Sequence, residues 1–249
     1  MIRFYAPWSA DGNMPVAGDV MALPESDSGH CVRVLRMREG DTLEVVDGAG
    51  HIYSCKIIDA HPKHAMVCIL AIADLPKVWT GDITLAIAPT KHADRMEWLV
   101  EKLVEIGIDR IVPLRCRHSE RKDINVERIE KIAVSAMKQS LKAVLPKIEN
   151  TTSYKAFLDE FRTQTSTQRF IAYCDPSIPR FSLAQEYLPG SNVVILIGPE
   201  GDFDSDEIKN ALADGWVPVT LGDNRLRTET AALVAVTTFH VLEQVKPIP

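Results

Sequence analysis

The sequence predicts an α/β protein in two parts: a small β-barrel over residues 1–73, then a mainly parallel sheet with helices on both faces over residues 74–249. Three observations predict it. Residues 1–72 carry four short runs rich in Val, Ile and Cys, separated by turn signals. From Asp82 onward, apolar runs alternate with helical patterns. Finally, residues 193–231 read VVILIGPEGDFDSDEIKNALADGWVPVTLGDNRLRTETA. There two apolar runs, 193–197 and 217–221, each stop at a glycine turn, with a helical pattern between them. That is the pattern of two buried parallel strands and a crossover helix.

Taken in order, the barrel strands fall at 20–23, 42–47, 52–58 and 65–72, with Asp47-Gly48-Ala49-Gly50 as a hairpin turn. Residues 30–37, HCVRVLRM, are the exception: Arg33 and Arg36 are three apart and share a face if this stretch is helical. With Arg38 they form a group suited to an RNA backbone, or to plain surface charge. The boundary between the parts is expected within 73–81, which contains Pro76. A strand at 83–88 ends at Pro89-Thr90-Lys91, and an amphipathic helix at 94–106 buries Met96, Leu99, Val100, Leu103 and Val104. Gly107 closes that helix. A strand at 111–114 leads into the basic loop 115–122, and a helix over 126–145 ends before Pro146, placing Ser135, Gln139 and Lys142 on one face. A short helix lies within 151–167, a strand at 169–174 and another short helix at 182–188. The final helix, from 231, is apolar nearly all round and so belongs in the core or against another subunit.

Composition is that of an ordinary globular chain, 46% hydrophobic and 25% charged over 249 residues. No apolar run approaches the ~18 residues of a membrane span, and the N-terminus lacks the apolar core of a signal peptide. Five scattered cysteines with no C-x-x-C motif predict free thiols in the cytoplasm and no metal site; His61 and His64 read as surface residues. The net charge of −6 is unevenly spread: residues 110–147 hold 10 bases against 4 acids. Such a block can grip phosphates on an acidic protein, or form a solvated helix face.

Ligands of open α/β sheets sit at the carboxyl ends of the strands, where the two glycine turns lie. No G-x-G-x-x-G or P-loop motif is present. The helix after the first turn opens with Asp202, Asp204, Asp206 and Glu207; the spacing of Asp204 and Glu207 is that of a capping box. These acids favour a helix start and repel phosphate. A neutral or cationic ligand is expected, and the sulfonium of S-adenosylmethionine fits where NAD and ATP do not. After the second turn come Arg225, Arg227 and Glu229, a charged group at the mouth of a buried helix.

Gly198-Pro199-Glu200-Gly201-Asp202-Phe203 with Glu207, then Leu221-Gly222 and Leu226-Arg227-Thr228-Glu229-Thr230-Ala231, closely resembles the ribosomal RNA small-subunit methyltransferase E family, of the SPOUT superfamily. Arg95-Met96-Glu97 with Lys102, Glu105 and Gly107, Gln139-Ser140 with Pro146, and His30 with Val34-Leu35-Arg36 and Asp47-Gly48 extend the resemblance over the whole chain. The resemblance implies a PUA-like RNA-binding barrel at 1–73 and a SPOUT methyltransferase domain at 74–249, threaded as a trefoil knot. It further implies a homodimer that uses S-adenosylmethionine to methylate N3 of one uridine (1498 in the usual numbering) of 16S ribosomal RNA in the small ribosomal subunit. By analogy the cofactor contacts Pro89, Thr90, Ile197, Gly198, Pro199, Glu200, Gly201, Leu221, Gly222, Leu226, Thr230 and Ala231. Arg227 then stabilises the uracil anion, Glu229 orients Arg227 or assists proton loss, and solvent is an alternative base. Arg33, Arg36, Arg115, Arg117, Lys138 and Lys142 are the expected RNA contacts. The chain departs from the family pattern at Asp202, where a second glycine is usual and a positive φ would suit Asp better than most residues. It departs again at Lys138, Lys142 and Asn224. The rival readings are a relative acting on another ribosomal or transfer RNA nucleotide, and a non-catalytic RNA-binding module.

Overall fold

Alternating burial builds the first sheet. The strands β1 (Arg3–Tyr5), β2 (Val20–Ala22), β3 (Thr42–Val46), β4 (His51–Asp59) and β5 (Met66–Asp74) run in the order β1-β3-β4-β5-β2. They curl into a half-barrel with β1 parallel to β3 and the other pairs antiparallel. Every second residue of β4 faces inward: Tyr53, Cys55 and Ile57 are buried while Ser54 and Lys56 are exposed. The three-residue β1, too short to register as a periodic pattern, adds Phe4 to this core. In a computed structural model these features are described for residues 2–10, 12–175 and 177–245.

Residues 30–37 are not a single helix. The helix α1 (Glu25–Gly29) passes into a π-helical turn, His30–Val34, and Arg36 lies beyond it at φ 55°. Arg33 and Arg36 are both exposed but share no helix face.

The chain divides into two compact units, Met1–Val78 with Val134–Leu145 and Trp79–Ala133 with Pro146–Pro249. Residues 143–145 join the first unit through the β3–β4 hairpin: Gly50 N donates to Ala143 O at 3.0 Å and Leu145 N to Gly48 O at 2.8 Å. A Cβ on Gly48 would meet Leu145 and the Tyr5 ring at 3.2 Å, and its φ is 82°, so this turn requires glycine. Asp47 organises the hairpin from inside. Its buried carboxylate accepts hydrogen bonds from Ser9 Oγ (2.6 Å), Ala49 N (2.8 Å), His51 N (3.1 Å) and Tyr53 Oη (3.2 Å), and lies 2.7 Å from His51 Nδ1. Burial opposes its charge, but the bonds from Ser9, His51 and Ala49 outweigh burial and hold the carboxyl below its usual 3.8. A depressed folded pKa means stability that is present above the unfolded value and lost as pH falls through the folded one. Asp47→Asn is therefore expected to cost about 1–3 kcal/mol at neutral pH, with the gap from wild type narrowing below about pH 4. Urea unfolding across pH measures this; a gap independent of pH would contradict it.

The second sheet comes from β6 (Ile83–Ile87), β7 (Arg110–Arg115), β8 (Lys147–Ile148), β9 (Thr152–Ser153), β10 (Gln168–Ala172), β11 (Phe181–Ser182), β12 (Val193–Ile197) and β13 (Val217–Thr220). Its order is β11-β13-β10-β12-β6-β7-β8, with β9 against β7, and every pair is parallel. Strands β6 and β12 are buried at every residue, as central parallel strands covered on both faces must be. In β13, expected to be equally buried, only Val219 is fully enclosed, because just the two-residue β11 lies outside it. Connecting helices are α2 (Ala93–Ile106), α3 (Val126–Gln139), α4 (Tyr154–Phe161), α5 (Leu183–Glu186), α6 (Ser205–Ala213) and α7 (Thr228–Gln244). Gly107 ends α2 at φ 128°, with the Trp79 ring against it.

Two helices differ from expectation. Helix α3 stops at Gln139, six residues before the predicted end. Leu141 N donates to Lys138 O (3.3 Å) and Lys142 N to Met137 O (3.0 Å), a Schellman ending in which Leu141 takes φ 56°. Glycine usually fills that position, so the stop carried no signal in the sequence. Lys142 therefore lies past the helix and does not share a face with Ser135 and Gln139. Helix α7 buries Thr228, Glu229, Ala232, Ala235, Val236 and Phe239 on one face. Its other face leaves Leu233 and Val234 half-buried and Val241 exposed. Among the described residues no helix is long and apolar enough to cross a membrane.

Candidate active site

The carboxyl ends of four neighbouring strands are level. Ile87 pairs with Ile197, Ile197 with Ala172, and Ala172 with Val219. The turns leaving these strands therefore emerge side by side: residues 88–90, 198–201, 173–174 and 221–222. Ala88 N extends the ladder to Ile197 O at 3.0 Å, and Lys91 N donates to Glu200 Oε1 at 2.9 Å, so the β6 and β12 turns are tied together. Pro89, Thr90, Ile197, Gly198 and Pro199 are buried, Leu221, Leu226, Thr230 and Ala231 half-buried, and Glu200, Gly201 and Gly222 exposed.

Two glycines here have different reasons. A Cβ on Gly198 would lie 3.0 Å from the Phe203 ring, which packs directly over the turn. Gly222 has φ 113° with nothing within 4 Å of where its Cβ would point, so its surface is open to a ligand. Asp202, at the position where the resemblance leads one to expect glycine, adopts φ 65°. Its Oδ2 accepts from Cys174 N at 2.8 Å and its Oδ1 from Phe203 N at 2.9 Å, fixing the β12 turn to the end of β10.

The acidic start of α6 forms the expected capping box, with Asp204 accepting from Asp206 N (3.0 Å) and Glu207 Oε2 from Asp204 N (2.9 Å). Its charge is partly answered. Arg117 donates to Asp204 Oδ1 (3.1 Å) and through its backbone to Glu207 (2.9 Å), and His118 Nε2 lies 3.7 Å from Asp204. The Asp206 backbone bond, with Arg117 and His118, holds the Asp204 carboxyl below its usual range despite desolvation.

These pairs change the reading of the basic block. Arg115 pairs with Asp123 (3.0 Å), Lys138 with Asp27 (2.8 Å), Arg128 with Glu97 (2.6 Å) and Arg110 with both Glu149 (2.9 Å) and Glu160 (2.6 Å). Apart from Arg115–Asp123, which lies within the block, these pairs answer bases of 110–147 with acids from elsewhere in the chain. Of the six expected RNA contacts, Arg115, Arg117 and Lys138 are engaged in this way, whereas Arg33 and Arg36 are exposed with no side-chain partner among the described residues.

At the start of α7, Arg227 is exposed and has no side-chain partner among the described residues. Glu229 is only 6% exposed. Its Oε1 lies 3.8 Å from Arg95 Nε, on α2, and its Oε2 has no hydrogen-bond partner among the described residues. The helix N-terminus favours a carboxylate there. Glu229, expected to orient Arg227 or assist proton loss, meets Arg95, a residue outside the expected set. Its signal was available, since Arg95 opens one of the motifs that carry the resemblance.

Cysteine chemistry singles out one further position. Cys31, Cys55 and Cys116 are buried, and burial pushes the Cys116 thiol up and the Cys55 thiol up to about 12, while Cys174 is exposed. A thiol reagent is expected to modify Cys174 first in the native protein, as read by peptide mass analysis. Equal labelling of Cys55 or Cys116 would contradict the burial.

Comparison with known proteins places this geometry. An RNA methyltransferase domain model matches residues 78–240 and an RNA methyltransferase PUA domain model matches residues 23–70. The ribosomal RNA small subunit methyltransferase E of Buchnera aphidicola (from Acyrthosiphon pisum) is 30% identical, over 88% of this chain and 87% of that protein. A probable rRNA-methyltransferase from Porphyromonas gingivalis is 44% identical, with a TM-score of 0.89 over 98% of this chain and 99% of its own. The ribosomal RNA small subunit methyltransferase E of Neisseria gonorrhoeae, solved bound to S-adenosyl methionine, is 27% identical, with a TM-score of 0.83 over 97% and 98%. With both domain models matched and a relative of this identity spanning most of its length, the chain belongs to the ribosomal RNA small subunit methyltransferase E family.

Proposed function

We propose that the protein transfers a methyl group from S-adenosylmethionine to N3 of one uridine, 1498 in the usual numbering, of 16S ribosomal RNA. The observation that carries this reading is Glu229, a buried carboxylate with one oxygen unpartnered, a few residues beyond the turn that follows β13. Such a group costs folding stability and makes sense where a ligand completes it. The N. gonorrhoeae relative's bound S-adenosyl methionine supports the cofactor.

S-adenosylmethionine supplies a methyl group on a sulfonium centre. In this reading it is held by Pro89, Thr90, the backbone of 197–201, Leu221, Gly222, Leu226, Thr230 and Ala231. The open space beside Gly222 leaves room for it, and the acids of α6 suit a cation and repel polyphosphate. Uracil N3 becomes a nucleophile when its proton leaves and negative charge spreads over the flanking carbonyl oxygens. Arg227, with no side-chain partner among the described residues to give up, stabilises that anion. Glu229 Oε2 accepts the proton or a hydrogen bond from the base, and Arg95 holds the carboxylate in place. The imino edge must be unpaired, so the uridine is flipped out or already single-stranded. RNA contacts come first from Arg33 and Arg36, with Arg115, Arg117, Lys138 and Lys142 as further contributors.

The half-exposed apolar face of α7 supports a homodimer in which a second copy covers Leu233, Val234 and Val241. The position of β12 between β6 and β10 is compatible with a chain threaded as a trefoil knot. A PUA-like barrel at 1–73, a methyltransferase domain at 74–249 and a cytoplasmic site of action complete the reading.

Nucleoside mass analysis of small-subunit RNA from a strain lacking the gene tests it. Loss of 3-methyluridine, restored by the wild-type gene, is the expected result; an unchanged profile sinks the proposal. Loss of a different methylated nucleoside would favour a relative with another target. Absence of heat on titration with S-adenosylmethionine would favour a non-catalytic binding module.

A further inference from the structure

The Schellman ending of α3 poses a question that the methyl-transfer site does not answer. Leu141 holds a left-handed conformation in which glycine would be less strained, and its side chain is 49% exposed. Arg3 donates to its carbonyl oxygen, which fixes the segment. Neither packing nor backbone geometry explains a leucine here.

Leu141 lines a cleft of about 280 Å³ within the N-terminal unit, shared with Ile2, Phe4, His30, Ser135 and Gln139. That volume is at the small end of ligand sites. Two cations also reach the cleft, but both are already answered: Arg3 by Glu44 at 3.1 Å and Lys138 by Asp27 at 2.8 Å. The cleft is therefore close to neutral and poorly suited to an isolated phosphate. Unpartnered among the described residues are the His30 ring nitrogens, the Ser135 hydroxyl and the Gln139 amide, the last two groups that both donate and accept. Beside them, Phe4 and His30 meet edge to face with centroids 6.1 Å apart. Apolar surface, the exposed His30 ring backed by Phe4, and two neutral groups able to read an edge match a nucleobase, and proteins that read single-stranded RNA use these elements.

We infer that this cleft captures one unpaired nucleotide of the substrate RNA, with Leu141 against the face of the base and Gln139 and Ser135 on its edge. The inference rests on the proposal that the substrate is RNA. It gives Ser135 and Gln139, which the sequence already put on one helix face, a purpose apart from phosphate binding.

Leu141→Gly and Gln139→Ala separate this from a structural role. Each is expected to raise KM for small-subunit RNA about 10-fold, with kcat and S-adenosylmethionine affinity unchanged. Leu141→Gly should melt no lower than wild type, because glycine accepts the left-handed backbone freely. Variants with wild-type KM overturn the inference while leaving the function intact; a wild type that methylates no ribosomal RNA overturns the function itself. Uridine monophosphate supplies the remaining arm. Weak binding of the mononucleotide, unchanged in both variants, agrees with capture from a strand. Tight binding that both variants lose would mean a free nucleotide occupies the cleft, and would overturn the assignment to RNA.

Discussion

Arg227→Ala is expected to lower methyl transfer about 10²–10³-fold, the size of effect seen when one preorganised group facing a developing anion is removed. The residue precedes the first turn of α7, is exposed, and has no side-chain partner among the described residues. Its loss should leave the melting temperature unchanged, so a fall in rate reads directly on chemistry. S-adenosylmethionine affinity, measured by calorimetry, should change less than about threefold if the guanidinium acts on the base rather than on the cofactor. A collapse of cofactor affinity equal to the loss of rate would reassign Arg227 to the cofactor pocket. Lysine at this position should recover only part of the rate, because a point charge on a flexible stem does not reproduce a planar guanidinium.

Glu229→Gln is expected to move activity and stability in opposite directions. The carboxylate is buried, meets Arg95 only at 3.8 Å, and leaves Oε2 without a partner among the described residues. Replacing it by a neutral isostere removes a poorly compensated buried charge, for a gain of about 1 kcal/mol, or about 2–4 °C in melting temperature. Methyl transfer should fall about 10²-fold if the carboxylate handles the proton. A variant that melts lower and keeps its rate would show that Glu229 serves the fold through Arg95 and has no part in the reaction. The pairing with Arg95 also gives Arg95→Ala a distinct signature: loss of rate with S-adenosylmethionine affinity kept, since the carboxylate is no longer held in place by the guanidinium.

The sequence made the sheet domain readable because its signals are local and strong. The unbroken apolar runs of β6 and β12, the amphipathic pattern of α2 closed by Gly107, and the acidic cap of α6 each describe themselves within a dozen residues. The Asp47–Gly50 hairpin is equally local. The left-handed Asp202 was legible only because a family pattern flagged the position. The misreadings share a cause. Arg117 and Asp204 are 87 residues apart, and Arg110 and Glu160 are 50 apart, so a charge count over a window missed the acids that answer the bases. Helix α3 is shorter than its sequence pattern because its stop depends on a leucine in a conformation that no propensity assigns to leucine. The association of 134–145 with the N-terminal unit rests on backbone bonds to the hairpin, the Lys138–Asp27 pair and the bond from Arg3 to Leu141 O, all between residues far apart in the sequence. Arg95 was in view as part of a helix motif, but its role depends on α2 and α7 meeting, which periodicity does not report.

The order of strands in the second sheet also sets when this protein can finish folding. Strand β12 lies between β6 and β10, and Val193 pairs with Ile83, 110 residues earlier in the chain. During synthesis β6, β7 and β10 all emerge before the strand that joins them, so a nascent chain of 190 residues has its central edges unpaired. Pairing of this separation is slow, and the open apolar edges invite association with other chains meanwhile. The final turns, which carry Gly222, Arg227 and Glu229, come later still. Activity therefore follows completion of the core, since these turns are the last part of the proposed site to be made.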